Sequence, residues 1–528
     1  MMEAGMGRTL REALAVAAGA MAASPSLAAP PAPPPTSIAE AQAALASGRT
    51  TSVALVKAYE ARIAALNPRL HAVIAVNPDA LNAAAKLDAE RRAGRVRGPL
   101  HGVPILVKDN VETADPLPTT AGSLALKDNR AGRDAPLVAR LKAAGAIVLG
   151  KTNLSEWANI RSSYSVSGWS AVGGLTRNPY ALDRNSCGSS SGSGSAVAAG
   201  LAPAAIGSET DGSINCPSAV QGLVGIKPTL GLVPRTGVVP ISHWQDTAGP
   251  MATTVADAAA LLTVLAGSDA ADAQSAEADR HRGDYTKALD PGALRGKRLG
   301  VLRFAAGFDP KVDAVFDRAL AALRAAGAEL VEIKEPGVDL GALGKAEDTA
   351  LTAELKSDLN AYLAKTPPAV KTRTLADVIA FNRAHARAEL ALFGQDKFEA
   401  AEKTAGGDAP EAVKARETAR RLAGPDGVDR LLRDNRVDAL IAPTYGAAWM
   451  TDWVTGDHTG GGTAVSLAAV SGDPSLTVPM GDVAGLPLGL IFVGPAWSEA
   501  RLIGLAYAFE QATHARRPPT LQATVPLP

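Results

Sequence analysis

Three features of this sequence carry groups that could do chemistry together. They are Lys108 at the end of the apolar run "GVPILVKDN", the tract "CGSSSGSGSAVAAG" from Cys187 to Gly200, and Ser213 in "GSETDGSINCP". Alone, each has an ordinary reading. A strand-end lysine is a solvated surface charge, a Gly/Ser tract is a loop, and Gly, Asp, Ser and Asn build turns. Together they fit one reaction type. A serine hydroxyl is a weak nucleophile until a base takes its proton, and lysine serves as that base when burial disfavours its ammonium form. A second serine between them could relay the proton, and Gly-rich backbone brings N–H groups close to a developing oxyanion where a Cβ would obstruct. Such a set would perform acyl transfer, with lysine in the place that histidine usually takes.

These groups need a scaffold. Ser37, three residues ahead of Glu40, starts a helix with a capping box. Val56, Tyr59, Ile63 and Leu66 recur at helical spacing and should face the core, with the helix stopping before Asn67-Pro68. "GVPILVKDN" reads as a short buried strand, and "LKAAGAIVLGKTNLSEW" as a helix, a Gly turn and a second strand. This alternation predicts a largely parallel sheet. Arg161 to Pro240 is rich in Gly and Ser, but its apolar pieces "AVAAGLAPAA" and "GLVGIKP" exclude a flexible linker. A strand, helix, strand unit follows from "RGKRLGVLR". Ala346 to about Leu422 reads as mainly helical, and "VDALIAPT", "PSLTVPMG" and "PLGLIFVGPAW" read as strands before a closing helix at Arg501 to Ala515.

At 528 residues the chain can bury a large core, and its 53 basic and 53 acidic residues balance. That balance gives no electrostatic footprint for nucleic acid or an anionic membrane surface. Arg8 and Arg11, the short apolar run Ala13 to Ala23 and the small residues at Ser26-Leu27-Ala28 have the layout of a secretory signal peptide. Residues 1–28 are therefore expected to direct export, to the periplasm or outside, and 29–36 to form a Pro-rich linker. No later run reaches transmembrane length. The two cysteines, Cys187 and Cys216, could pair in an exported protein, but two make no framework. The reading leans to free, buried thiols, with the disulfide left open. Neither cysteine has a CxxC partner and the histidines lack ligand spacing, so no metal or cofactor is expected.

The stretches "GPLHGVPILVKDN", "GKTNLSEWA", "TRNPYALDRNSCGSSSGSGSAVAAGLAPAAIGSETDGSINCPSAVQGLVGIKPTLGLVPR" and "ISHWQDTAGPMATTVADAA" resemble, in order and spacing, the amidase signature family. The resemblance covers about 100–265, with "VDALIAPT" and "PSLTVPMG" also similar. It implies an α/β amidase-signature fold: a large twisted mixed β-sheet covered by helices on both faces, in a single domain over 37–528. The helical section 346–422 lies outside the motif block and is expected to shape the substrate preference. The resemblance further implies a Ser-cisSer-Lys triad in which Ser213 attacks a carbonyl, Ser189 in cis configuration passes its proton to Lys108, and the backbone N–H groups of Thr210, Asp211, Gly212 and Ser213 form the oxyanion hole. Two departures stand out. Asp211 occupies a position where glycine is commoner, which requires its side chain to turn away from the oxyanion, and Cys187 precedes Gly188 where a second glycine is commoner. Both variants are similar to the peptide amidase branch, which implies a short peptide-amide or other small-molecule substrate.

Neighbouring residues have plainer roles. Asp109 should anchor the strand end, Lys227-Pro228 and Arg235 hold the sheet edge, and His101 is structural. Asp246 and Thr247 either touch the site wall or form a turn, while Trp244, Trp449 and Trp453 either line an apolar pocket or pack in the core. One rival enzyme reading takes Gly188-Ser189-Ser190-Ser191-Gly192 as a nucleophile elbow with Ser190 attacking, aided by His458 or His514, but no strand leads into it. A periplasmic solute-binding protein is the non-enzymatic rival, and it offers no use for a buried lysine beside two serines. A tRNA-linked amidotransferase subunit is opposed by the signal peptide and by the neutral charge.

Overall fold

The computed structural model describes residues 34–526, so the predicted signal peptide and most of the linker lie outside the described residues. Thirteen strands are present among them: β1 (Val73–Val76), β2 (Pro104–Lys108), β3 (Ile147–Thr152), β4 (Trp169–Ser170), β5 (Gly174–Leu175), β6 (Ala204–Glu209), β7 (Val224–Lys227), β8 (Thr247–Ala252), β9 (Arg298–Leu302), β10 (Glu329–Ile333), β11 (Ala439–Pro443), β12 (Ser475–Val483) and β13 (Leu486–Val493). Eleven build one sheet in the order β1-β3-β2-β6-β8-β7-β12-β13-β11-β9-β10, and β4 and β5 pair separately.

The sheet is mixed, as the family resemblance implies, rather than largely parallel as helix–strand alternation alone predicts. Of its ten pairings, four are parallel (β2 with β3 and β6, β9 with β10 and β11) and six antiparallel. Two local features account for three of the six antiparallel pairings. β8 returns between β6 and β7 rather than beyond them, and β12 and β13 form a hairpin across Ala484 and Gly485. Both turn residues have positive φ, as a tight turn matched to strand twist requires.

Helices cover both faces. In β11 and β13, alternate residues join different apolar clusters: Ala439, Ile441, Leu490 and Phe492 pack with Phe316 and Phe509, whereas Leu440, Ala442, Ile491 and Val493 pack with Ala423, Leu431 and Val465. Successive strand side chains point to opposite faces, so the helices Pro310–Ala325 and Glu499–Thr513 lie on one side and Pro410–Ala423 and Thr463–Ser471 on the other. The section 346–422 is helical as expected, in segments beginning with Leu340–Leu363 and ending with Pro410–Ala423.

Two local readings change in detail. Ser37 caps Ile38–Ala46 through the Glu40 N–H at 3.1 Å, but the Glu40 carboxylate takes the Thr36 N–H instead of closing the box on Ser37. The next helix, Ser52–Leu70, runs through Pro68. The proline falls in the last turn, where few bonds are left to lose, and the Asn67 side chain binds the chain on exit through the N–H groups of Ala72 and Val73 and the carbonyl of Val73. Val56, Tyr59, Ile63 and Leu66 are all buried, as their spacing requires.

Candidate active site

β2 and β6 are parallel neighbours, so their carboxyl ends open on the same side of the sheet, where α/β folds place their ligands. Lys108 is the last residue of β2, and Ser208 and Glu209 end β6. Lys108 is wholly buried, and its ammonium nitrogen lies 2.8 Å from Ser189 Oγ, 2.9 Å from Ser208 Oγ and 3.1 Å from the Ser208 carbonyl. Burial pushes its pKa down to about 7, against the opposing pull of Asp246 and Glu209. The solvated strand-end charge of the plain reading is therefore replaced by a desolvated amine.

Ser189 sits in the turn before the helix Ser191–Ala198, and its peptide bond with Gly188 is cis. Its carbonyl accepts the Ser155 N–H at 3.0 Å. The loop carrying Ser213 is tied to this turn by Ser190, whose N–H donates to the Ser213 carbonyl at 3.1 Å. A disulfide joins Cys187 to Cys216, beside the two serines, with Cα atoms 6.0 Å apart. This corrects the reading of free thiols. Two residues 29 apart meet because both loops converge on the end of β2, which cysteine counting does not reveal. Closing a loop of that size contributes about 3–4 kcal/mol in the chain-entropy account.

Glu209 organises the turn around Ser213, accepting the N–H groups of Ile214 at 2.6 Å and Asn215 at 2.8 Å and the Asn215 side-chain amide at 3.0 Å. The backbone N–H groups of Thr210, Asp211, Gly212 and Ser213 have no backbone acceptor among the described residues. The Asp211 carboxylate is turned onto the Ser466 hydroxyl at 2.9 Å, and burial together with Glu347 pushes its pKa well up. Asp246 accepts the Thr210 hydroxyl at 2.6 Å and also the N–H groups of Ile241 at 2.8 Å and Ser242 at 3.0 Å, so it serves both the wall and a turn. A cavity of about 350 Å³ lined by Glu347, Tyr445 and Ser466 opens beside Asp211.

Gly212 has φ +79°, and a Cβ there would lie 2.4 Å from the Tyr445 hydroxyl. Gly212→Ala is therefore expected to displace the Ser213 loop and lower kcat by about tenfold to a hundredfold. Steady-state kinetics on a variant with unchanged circular dichroism checks this.

The remaining residues divide clearly. Asp109 anchors the strand end, accepting the Thr120 N–H at 3.2 Å, and buried His101 bonds the Leu87 carbonyl at 3.0 Å, as a structural histidine does. Lys227 does not hold a sheet edge, because β7 lies between β8 and β12. Arg235 instead clamps Asp272 at 2.5 and 2.7 Å and the His243 carbonyl at 2.7 Å. Trp244 lies under the Arg416 guanidinium, Trp449 packs against the disulfide, and Trp453 is 44% exposed, so none lines the cavity beside Asp211. Ser190 is fully buried and its hydroxyl donates to the Ser208 carbonyl at 3.0 Å, which leaves the elbow reading without a free nucleophile. Ser208 and Asn110, whose amide donates to Ser208 Oγ at 2.9 Å, are site residues that the sequence reading missed.

Comparison with known proteins bears on the whole arrangement. Residues 54–503 match the amidase family. The chain is 41% identical to a probable amidase of Arabidopsis thaliana over 89% of its length and 88% of that protein. It is 53% identical to the native peptide amidase of Stenotrophomonas maltophilia, with a TM-score of 0.86 over 92% of this chain and 98% of that one. A structure of a peptide amidase with the competitive inhibitor chymostatin is likewise 53% identical, with a TM-score of 0.87 over 92% and 99% of the two chains.

Proposed function

This chain belongs to the amidase family and is an amide hydrolase, and from that premise we propose that it removes ammonia from C-terminal peptide amides through a Ser213–Ser189–Lys108 triad. The observation that carries the triad is the wholly buried Lys108 amine, 2.8 Å from Ser189 Oγ, beside a turn hydrogen-bonded to the Ser213 loop. Ser213 Oγ attacks the amide carbon while its proton passes through Ser189 to neutral Lys108. The N–H groups of Thr210 to Ser213 face the oxyanion. When the C–N bond breaks, Lys108 returns the proton through Ser189 to the leaving nitrogen, releasing ammonia. Water then attacks the acyl-enzyme as its proton passes through Ser189 to Lys108, Lys108 returns that proton through Ser189 to Ser213 Oγ, and the carboxylic acid departs. No metal or cofactor enters any of these steps.

The substrate class is supported by the likeness to peptide amidases. Export through residues 1–28 belongs to the same reading, with neither nucleic acid nor membrane as a partner. Ammonia release from peptide amides, free carboxamides and glutamine, with aryl ester hydrolysis alongside, tests it. Peptide amides should exceed each other class in kcat/KM by about tenfold or more. Preferential turnover of glutamine or aryl esters would overturn the assignment.

A further inference from the structure

We infer that Ser208 is a positioning residue that aims the lone pair of the Lys108 amine at Ser189. This rests on the reading of Lys108 as the base. A neutral primary amine has two N–H bonds and one lone pair, and Lys108 Nζ has three oxygen neighbours: Ser189 Oγ, Ser208 Oγ and the Ser208 carbonyl. A carbonyl can only accept, so one N–H goes to the Ser208 carbonyl. If the Ser208 hydroxyl takes the second N–H, the lone pair is left facing Ser189, the one orientation in which Lys108 can receive a proton. The same three oxygens accept the three N–H bonds of the ammonium form, so the amine need not turn when it is protonated.

Ser208 is itself held from three sides. Its N–H donates to Ser190 Oγ at 3.2 Å, its carbonyl accepts the Ser190 hydroxyl at 3.0 Å, and its Oγ accepts the Asn110 amide at 2.9 Å. A cavity of about 10 Å³, lined by Asn110, Ser208, Glu209, Thr210 and Asp246, adjoins it. That is the space of one water, and Asn110 Oδ1 is buried without a hydrogen-bond partner. Loss of the Ser208 hydroxyl would leave one N–H unpaired in a site closed to solvent. The amine could then turn an N–H towards Ser189, which would block proton transfer.

The test is Ser208→Ala, with Ser208→Cys as a variant of similar shape but weak acceptor strength and Ser208→Thr to restore the hydroxyl. In Ser208→Ala, kcat for a peptide amide should fall about tenfold to a hundredfold with little change in KM. The acid limb of the pH–rate profile should also move to lower pH, because the ammonium form loses one of its three acceptors while Asp246 and Glu209, the charges facing Lys108, stay in place. A purely structural role would reduce the active fraction without moving the limb. Ser208→Thr should recover most of kcat. If Ser208→Ala does not fold, Ser208→Cys carries the test. An unchanged kcat and limb in a folded variant lacking the hydroxyl, beside an inactive Lys108→Met, overturns the positioning role alone. A Lys108→Met enzyme that still turns over overturns the base assignment, and the role of Ser208 with it.

Discussion

Ser213→Ala is expected to lower kcat by about six orders of magnitude, the scale seen when a serine nucleophile is removed from a catalytic unit whose members act together. Ser190→Ala should lose about tenfold or less, since its hydroxyl only buttresses Ser208. The two serines stand 23 residues apart in sequence and are joined by one backbone hydrogen bond, so their side chains can be removed independently. Ser190 is 0% exposed and its hydroxyl is engaged, whereas Ser213 is 7% exposed on the loop that Glu209 organises. Ammonia release measured for both variants, with mass spectrometry of the protein after an acylating inhibitor, decides between them. Adduct mass on the peptide containing Ser213 is the expected result. An active Ser213→Ala enzyme beside an inactive Ser190→Ala would return the nucleophile to the Gly188–Gly192 elbow.

Much of this site was legible because its chemistry is carried by residue types that fit one another. Alone, a strand-end lysine and serines in glycine-rich segments have ordinary surface readings; their chemical fit together, and the order in which their motifs resemble the amidase signature family, set them apart. Helix positions followed from spacing, as for Val56, Tyr59, Ile63 and Leu66. What was not legible depended on which strands become neighbours. The partners of Lys108 are set by β2 lying beside β6, about a hundred residues later in the chain, so Ser208 and Asn110 carry no local signal. The insertion of β8 between β6 and β7 is equally invisible to helix–strand alternation, which predicts a largely parallel sheet where the resemblance implies a mixed one. The Cys187–Cys216 bond has the same origin, because it joins loops that converge only once those strands are paired.

Activity on a peptide amide is expected to fall about tenfold for each pH unit below about 7, because the base must be unprotonated and burial brings Lys108 to that value. Asp246, raised by burial to about 6, titrates nearby, so the observed midpoint belongs to the cluster. Lys108→Met should remove the limb together with about three to four orders of magnitude in kcat/KM. The same depressed pKa has a second consequence, in stability. Between about 7 and the ordinary lysine value of 10.5 the unfolded chain binds a proton that the folded chain does not. Stability therefore rises with pH across that window, by up to about 1.4 kcal/mol per unit from this one group. Below pH 7 both states are protonated and the slope from Lys108 vanishes. Thermal unfolding followed from pH 7 to 10 should show a steeper rise in Tm for the native enzyme than for Lys108→Met, since every other titrating group is common to the two. Parallel Tm profiles would mean that the folded amine keeps an ordinary pKa, and an amine still charged at neutral pH could not take the Ser213 proton.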